Sequence, residues 1–250
     1  MNVMGIDLGG SGFRAGVFDT ESGQLIGSLI RHNHRYSTEP GVVLDAIIAA
    51  VKGANWKGPI GLGFPGAIES NRPTTAPNLG EAWIGYDVKE HLGSVHDGCL
   101  AMVNDADAVA IAEKHHGAGH QQASCVLTLT VGTGLGTTVH KNGQLIPNLE
   151  YGRWPHPSRG GLLEQHLSGA VRTEENLSLE AWAERFQEGL EHLEDSIQPD
   201  RIVLYGGIME HWPRIEPLLR TKATLVASKL SETAGPLGAA IVAAEAHDAL

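Results

Sequence analysis

Short runs of apolar residues alternate with glycine-rich or polar turns along this chain, a pattern that predicts an α/β protein. In the first third, apolar runs predict three strands, at residues 3–6, 13–18 and 25–31. Residues 42–51 carry apolar side chains at helical spacing and are followed by Gly53, which predicts a helix that ends there. The run at 60–64 predicts a short buried strand that stops at a Pro-Gly turn.

The rest of the chain continues this alternation. Further strands are predicted at residues 100–103, 125–130, 137–139 and 202–205. Helices are predicted at 88–92, 106–115, 162–171 and 178–196, and from about Leu237 onwards. The clearest helical pattern is that of residues 178–196, because apolar side chains recur there every three or four positions. Residues 69–85 and 147–161 are predicted to be irregular.

The succession of strands is similar in the two halves of the chain. It predicts two similar α/β lobes that face a cleft. We assign residues 1–103 and 237–250 to a smaller lobe and residues 104–236 to a larger one. The sequence contains no repeat of solenoid length and no low-complexity tract, so repeat architectures are not expected.

Two glycine-rich turns carry the strongest chemical signal. The sequence DLGGSG at residues 7–12 and the sequence VGTGLG at residues 131–136 each lie between strand-like runs. Glycines leave backbone N–H groups uncovered, and Ser11 and Thr133 add hydroxyl groups, so each turn can hold an anion. Together they predict two loops that bind one chain of phosphates, although each alone is also explained as a hairpin turn. Neither matches the P-loop or the dinucleotide fingerprint, so a different phosphate-binding architecture is expected.

Composition and charge narrow the classes of protein. The chain has 250 residues and a formal net charge of −11, which argues against general nucleic-acid binding because that needs a basic surface. No apolar run is long enough to predict a transmembrane helix, and the first residues lack the features of an export signal. Cys99 and Cys125 lie in or beside apolar runs. We therefore expect a cytoplasmic protein with free thiols.

Two aspartates are candidates for chemistry. Asp105 follows the predicted strand 100–103 and precedes a helix, where its carboxylate could accept the proton of a substrate hydroxyl. The same position suits an ordinary helix cap, and Asp107 shares this ambiguity. Asp7 adjoins the first glycine turn, and an acid next to bound phosphates suggests an intervening Mg²⁺. The alternative is a turn-forming side chain.

Planar amides and carboxylates near the predicted turns could bind the hydroxyl groups of a sugar. These residues are Asn78, Asn104, Glu150 and Glu164. Each taken alone is more often a surface polar residue. The 13 histidines form neither a His-Glu-x-x-His motif nor a Cys/His finger, so they predict no metal site.

Several motifs follow one another in a definite order along nearly the whole chain. They are GIDLGGS at 5–11, GFPG at 63–66, Asn78, NDAD at 104–107, TVGTGLG at 130–136, Glu150 with Gly152, GLLE at 161–164 and LYGG at 204–207. This set resembles the repressor–ORF–kinase (ROK) family of sugar kinases. The segments 103–108, 146–150 and 177–185 are most similar to the bacterial polyphosphate glucokinases. The resemblance implies two actin-like or ribonuclease H-like lobes around a cleft, as in the hexokinase-type ATPase superfamily.

The resemblance implies a role for each candidate residue. Asp105 would be the base that takes the proton from the 6-hydroxyl of the sugar. The sugar would be bound by Asn78, Asn104, Asp105, Glu150, Arg153 and Glu164. The phosphates would be held by Gly9, Gly10, Ser11, Gly12, Gly132, Thr133, Gly134 and Gly136. Gly206 and Gly207 would lie against a nucleoside or its equivalent, and Asp7 would help to position Mg²⁺.

Two departures from the family pattern change these expectations. Arg153 stands where the family usually has a histidine that binds both zinc and a sugar hydroxyl, and residues 154–161 contain none of the three cysteines that complete the zinc site. We therefore expect no structural zinc, and the sugar preference is open because arginine can only donate hydrogen bonds. No helix-turn-helix sequence precedes the first strand, which disfavours the repressor branch of the family.

The expected function is that of a cytoplasmic, Mg²⁺-dependent hexose kinase, dimeric like many relatives, with glucose as the favoured acceptor. The alternatives are an ATP-dependent kinase for fructose, mannose or an N-acetylhexosamine, and a catalytically silent sugar-binding regulator. Inorganic polyphosphate is favoured as donor, alone or alongside ATP. Candidates for a basic lane that would hold it are Arg14, Lys141, Arg153, Arg159 and Arg172. Such local cations can outweigh the net negative charge within a Debye length of about 8 Å.

Overall fold

Strands and helices follow one another in short groups along the described residues. The computed structural model of the protein describes residues 1–34, 37–95, 99–119 and 123–249. The first part forms β1 (Asn2–Gly9), β2 (Gly12–Asp19), β3 (Gln24–Asn33), α1 (Pro40–Gly53), β4 (Ile60–Phe64), β5 (Ile68–Glu69), β6 (Arg72–Pro73), α2 (Val88–His91), β7 (Leu100–Asn104) and α3 (Asp105–His116). The second part forms β8 (Cys125–Val131), β9 (Leu135–Lys141), β10 (Gln144–Ile146), α4 (Glu164–Leu167), α5 (Gly169–Glu174), α6 (Leu179–Ile197), β11 (Arg201–Tyr205), α7 (Trp212–Ile215), β12 (Thr224–Ala227) and α8 (Ala234–Asp248).

Two five-stranded sheets share one topology. The first has the strand order β3-β2-β1-β4-β7 and the second has the order β10-β9-β8-β11-β12. In the first sheet, β1, β2 and β3 pair antiparallel, whereas β1, β4 and β7 run parallel. The second sheet repeats these directions, with β8, β9 and β10 antiparallel and β8, β11 and β12 parallel. The repetition confirms that the chain contains two similar α/β halves.

The chain divides into two compact units at positions that differ from the predicted boundaries. Unit 1 comprises Met1–His116 and Thr233–Leu250, and unit 2 comprises Gly117–Glu232. The sequence placed the boundaries after residues 103 and 236 instead. The difference arises because α3 packs closely on α8: a Cβ atom added to Gly238 would lie 1.7 Å from the carbonyl oxygen of Ala108. Both helices therefore belong to unit 1.

The two faces of the unit 1 sheet are covered differently. On one face, β1 places Met4, Ile6 and Leu8 in a core shared with the apolar side of α1. On the other face, glycines let α8 lie directly against the backbone of the strands. A Cβ atom on Gly5 would lie 1.8 Å from the oxygen of Pro236, and one on Gly61 would lie 1.8 Å from that of Ala239. Successive side chains of a strand point to opposite faces of the sheet. Asp7, two residues beyond Gly5, therefore lies on the same face as Gly5, which is the face that α8 covers.

The core of unit 2 forms between its sheet and α6. This helix begins at Ser178, whose hydroxyl accepts a hydrogen bond from the N–H of Ala181 at 3.1 Å. Its apolar side buries Trp182 and Phe186, whose rings stack with their centroids 4.7 Å apart. The indole N–H of Trp182 donates to the carbonyl oxygen of Ser168 at 3.1 Å and so fixes the start of α5.

Most predicted elements are present, and the differences from the prediction concern short elements. Residues 69–85, predicted as irregular, contain part of the small β5–β6 hairpin. The single helix predicted at 162–171 is instead two short helices, because Ser168 adopts an extended conformation and caps α5 through the N–H of Val171. The strands β10 and β12 and the helix α7 had no counterpart in the prediction. No helix among the described residues is long and apolar enough to cross a bilayer.

Candidate functional site

The first glycine turn closes the β1–β2 hairpin in unit 1. Gly9 pairs with Gly12, and Gly10 and Ser11 are exposed at the tip. A Cβ atom on Gly10 would lie 3.1 Å from the Cβ atom of Asn78, so this predicted sugar ligand adjoins the predicted phosphate turn. A Cβ atom on Gly12 would lie 2.2 Å from the oxygen of His32, which explains why glycine is needed there. The exposed backbone of the turn is accessible to an anion.

Asp7 lies at the end of β1, directly before this turn. Its side chain is 12% exposed, and its Oδ2 atom is 3.5 Å from Nη2 of Arg14 on β2. Burial raises the pKa of the Asp7 carboxyl group above its ordinary value, and the Arg14 guanidinium opposes this rise. A Cβ atom on Gly235, at the start of α8, would lie 2.6 Å from the Asp7 carboxyl carbon. The carboxylate is therefore closely enclosed and weakly hydrated.

These surroundings bear on whether Asp7 fits Mg²⁺. The described residues contain no group of three or more His, Cys, Asp or Glu that could hold a metal ion. Magnesium is usually bound through one or two carboxylates, retained waters and the phosphates of the substrate, without a cage of protein ligands. A single weakly hydrated carboxylate next to a phosphate turn fits this mode of binding.

Asn104 and Asp105 have different roles at the start of α3. The side-chain Oδ1 atom of Asn104 accepts a hydrogen bond from the N–H of Asp107 at 3.0 Å, so Asn104 caps the helix. Its Nδ2 atom donates to the carbonyl oxygen of Gly66 at 3.2 Å, which connects β7 to the turn after β4. Asp105 Oδ1 accepts from the adjacent N–H of Ala106 at 2.8 Å, and the residue is half-buried. The capping role that the sequence offered to Asp105 is thus filled by Asn104.

The second glycine turn closes the β8–β9 hairpin in unit 2. The N–H of Gly132 donates to the oxygen of Gly134 at 3.1 Å, and the oxygen of Gly132 accepts from the N–H of Ala170 on α5 at 3.1 Å. Gly206 has φ = 126° and packs so closely that a Cβ atom there would lie 2.0 Å from the oxygen of Val131. The end of β8, the start of α5 and the end of β11 therefore meet at this turn.

A cavity of about 330 Å³ opens beside this turn in unit 2. It is lined by Gly132 and Thr133 of the turn, by Gly207, and by Arg172, Glu210 and His211. The structure thus brings Thr133 and Gly207 to one cavity, and their binding of a phosphoryl donor stays a prediction. Sequence reasoning missed Glu210 and His211, because residues 207–211 form a 3-10 turn that no periodic pattern signals.

The predicted sugar residues of unit 2 are grouped near the same turn. A Cβ atom on Gly134 would lie 3.3 Å from the Oε2 atom of Glu164. Burial raises the pKa of Glu150, the Arg153 guanidinium lowers it, and the Glu164 carboxylate raises it further. These three charged side chains are therefore electrostatic neighbours. Their arrangement can offer both acceptors and donors to sugar hydroxyls.

The backbone around Glu150 is held by contacts that the sequence did not reveal. The hydroxyl of Thr137 on β9 accepts from the N–H of Tyr151 at 2.9 Å and donates to the oxygen of Leu149 at 3.2 Å. Gly152 packs against β9, where a Cβ atom would lie 2.1 Å from the oxygen of Leu135. The close approach of β9 thus explains why a glycine stands at position 152.

Residues 154–163, which we call the Arg159 loop, carry no cysteine and are held by other contacts. Arg159 forms an ion pair with Glu188 of α6, and Ser158 donates to the same carboxylate at 2.7 Å. These hydrogen bonds lower the pKa of Glu188 to about 2. The Nδ1 atom of His156 accepts from the N–H groups of Ser158 and Arg159, at 3.3 and 3.2 Å. The loop that precedes Glu164 is therefore ordered by side-chain hydrogen bonds.

The predicted site residues divide between the units. Unit 1 holds Asp7, the turn at residues 9–12, Asn78, Asn104 and Asp105, whereas unit 2 holds the remaining residues. Two sheets of this shared topology, each with a glycine turn in its first hairpin, define the class of actin-like, hexokinase-type phosphotransferases. The sequence profile of the ROK family matches residues 3–156. The chain belongs to the ROK family.

Two relatives place the chain within this family, and a third shares its fold. It is 36% identical over 239 residues to a polyphosphate glucokinase of Mycobacterium tuberculosis, covering 95% of this chain and 89% of that protein. An inorganic polyphosphate/ATP-glucomannokinase from Arthrobacter sp. strain KM is 30% identical, with a TM-score of 0.91 over 98% of this chain and 99% of that one. A ROK family glucokinase from Streptomyces griseus, solved with glucose and AMPPNP, is 24% identical with a TM-score of 0.79, over 98% of this chain and 100% of that one. This last likeness concerns the fold alone.

Proposed function

We propose that this protein is a hexose kinase that transfers a phosphoryl group from inorganic polyphosphate or ATP to the 6-hydroxyl of glucose. The similarity to polyphosphate glucokinase over 95% of the chain supports this function. The structural observation that carries this proposal is that Asn104 and Asp105 have different roles at the start of α3. Asn104 caps the helix, so the carboxylate of Asp105 is not required for capping at the carboxyl end of β7.

Phosphoryl transfer needs alignment and neutralisation of charge more than covalent help from the protein. In the proposed reaction, Asp105 accepts the proton of the 6-hydroxyl while that oxygen attacks the terminal phosphorus of the donor. A new P–O bond forms, and the bond to the leaving phosphate breaks. The donor leaves as ADP or as a polyphosphate shortened by one unit. The product is hexose 6-phosphate.

The other proposed roles follow the grouping of residues within each unit. In unit 1, the N–H groups of residues 9–12 bind phosphate oxygens, Asn78 binds a sugar hydroxyl, and Asn104 positions Asp105. In unit 2, residues 132–136 bind phosphate, Gly206 and Gly207 border the donor, and the sugar is bound by Glu150, Arg153 and Glu164.

The proposal also covers the metal ions, the oligomeric state and the cellular location of the protein. Mg²⁺ near Asp7 would neutralise the donor phosphates. The family resemblance further supports a homodimer that acts in the cytoplasm. We also propose that the protein holds no structural zinc, since residues 154–161 contain no cysteine and His156 uses Nδ1 to accept backbone N–H groups.

Mannose is a second candidate acceptor, because the chain is similar over 98% of its length to a glucomannokinase. To test the function, purified protein is supplied with Mg²⁺, glucose or mannose, and either polyphosphate or ATP, and hexose 6-phosphate is quantified. We expect hexose 6-phosphate to form from glucose when polyphosphate is the donor, whether or not ATP also serves. Absence of product with every donor and acceptor would contradict the kinase assignment and favour a silent sugar-binding protein. Turnover with ATP alone would contradict only the polyphosphate part.

A further inference from the structure

The cavity of unit 2 lies where a sheet of this kind binds ligands. β8 and β11 are parallel neighbours, and Thr130 is paired with Tyr205 near their carboxyl ends. Ligands of α/β sheets bind outside the carboxyl ends of parallel strands. The cavity also includes Gly132 and Thr133 of the phosphate turn. The cavity therefore adjoins the proposed phosphate turn directly.

Arg172 gives this cavity a positive group with unused bonding capacity. The residue lines the cavity and is half-buried, and its Nε atom is buried without a hydrogen-bond partner. A buried N–H without an acceptor is costly, and a guanidinium group stays charged at every physiological pH. Phosphate oxygens match the donor geometry of arginine well. An anionic phosphate in the cavity is thus a chemically suitable partner for this guanidinium group.

Glu210 brings the opposite charge to the same cavity. Its side chain is 74% exposed, and its Oε1 atom lies 3.1 Å from Nε2 of His211. A carboxylate repels phosphate oxygens but accepts hydrogen bonds from vicinal hydroxyl groups. A nucleotide carries such hydroxyls on its ribose, whereas inorganic polyphosphate carries none. Arg172 therefore favours the phosphates that both donors carry, whereas Glu210 favours the ribose that only a nucleotide carries.

We infer that Arg172 and Glu210 set the choice of phosphoryl donor. Arg172 binds a phosphate that is not transferred, and Glu210 accepts hydrogen bonds from the ribose hydroxyls of a nucleotide. The inference rests on the proposed kinase function. The cavity volume of about 330 Å³ lies at the small end of the range for ligand sites, so one space takes either a few phosphates or a nucleoside.

The test compares single variants that have opposite expected effects. For Arg172→Gln, we expect kcat/KM with polyphosphate to fall about tenfold or more, and to fall less with ATP, since a lost charge-assisted hydrogen bond has this magnitude. For Glu210→Gln, we expect kcat/KM to fall with ATP and to stay equal or rise with polyphosphate. The control is Arg214→Gln, because the Arg214 guanidinium bonds to Glu180 on α6 at 3.1 Å and does not line the cavity.

Binding is measured separately by calorimetry, with tripolyphosphate as the probe. We expect Arg172→Gln to weaken binding of tripolyphosphate about tenfold and Arg214→Gln to leave it unchanged. Two results would overturn the inference while leaving the kinase function intact. One is an equal loss of kcat/KM with both donors in the Arg172 and Glu210 variants. The other is an equal effect of Arg172→Gln and Arg214→Gln. If the unmodified protein phosphorylates no hexose but tripolyphosphate binding still depends on Arg172, the proposed function fails and the phosphate site remains.

Discussion

The side chain of Asn104 accepts a hydrogen bond from the N–H of Asp107 at 3.0 Å, and this contact caps α3. An aspartate that follows a strand and starts a helix has two competing explanations, catalysis and capping. The neighbouring Asn104 makes the capping hydrogen bond, while Asp105 Oδ1 accepts from the adjacent N–H of Ala106 at 2.8 Å. Asn104 also ties α3 to the turn after β4 through the oxygen of Gly66.

We predict that Asn104→Ala destabilises the protein by about 1–2 kcal/mol, because it removes a helix cap and leaves the oxygen of Gly66 without this donor. Urea denaturation measures the change. The control is Asn104→Ser, since serine restores the cap but not the bond to Gly66, and we expect it to recover part of the loss. Equal stability of the alanine variant and the original protein would show that the cap contributes little.

The adjacent glycines 206 and 207 should respond differently to alanine. Gly206 has φ = 126° and would place a Cβ atom 2.0 Å from the oxygen of Val131, whereas a Cβ atom on Gly207 would have nothing within 4 Å. We expect Gly206→Ala to lower the midpoint of thermal unfolding and to raise KM for the donor, through strain of about 1–3 kcal/mol. Gly207→Ala should be stable, so a similar thermal loss in both variants would contradict the steric account.

Glu188→Gln should loosen the Arg159 loop in a pH-dependent way. Hydrogen bonds from Arg159 and Ser158 lower the pKa of Glu188 from 4.5 to about 2, so its ionised form stabilises the folded state. This contribution is present above pH 4.5 and is lost as the pH falls toward 2. We therefore expect the stability difference between the protein and its variant to shrink over that interval. A difference that stayed constant with pH would argue against the ion pair.

Asp7 is expected to cost stability. Because burial raises its pKa, the ionised carboxylate destabilises the folded state above that pKa, and the cost disappears as the pH falls below the ordinary value of 3.8. We predict that Asp7→Asn is at least as stable as the original protein at neutral pH, yet has lower activity and a changed dependence on Mg²⁺ concentration. Thermal unfolding and a magnesium titration of turnover measure both effects. Loss of stability at neutral pH would indicate that Asp7 has a structural role.

The sequence predicted the features that depend on local pattern. The glycine turns at 9–12 and 132–136, the strands around them and the helix α6 follow from periodicity and glycine placement. The cap by Asn104 was missed, because two consecutive polar residues at a helix start leave the capping residue ambiguous until the N–H geometry is known. The boundaries of the two compact units differ from the predicted domain boundaries for a similar reason, since the packing of α3 on α8 joins segments that are distant in sequence.

The cavity of unit 2 shows the limit of sequence reasoning more sharply. The family resemblance implied that Thr133 holds phosphate and that Gly207 lies against a nucleoside, and Arg172 was among the candidate cations; all three line the cavity. Glu210 and His211 were not predicted, because a 3-10 turn after β11 has no periodic signature. Their place in the cavity depends on the convergence of three chain segments, which only the folded structure reveals.

The proposed base catalysis is tested most directly by the turnover of Asp105→Asn. The substitution keeps the size of the side chain and leaves the Asn104 cap in place, so the account predicts a folded protein that still binds glucose. Its kcat, with the preferred donor and Mg²⁺, should be at least about a hundredfold lower than that of the original protein. A variant that keeps its kcat but unfolds at a markedly lower temperature would contradict the account, because Asp105 would then be a structural residue.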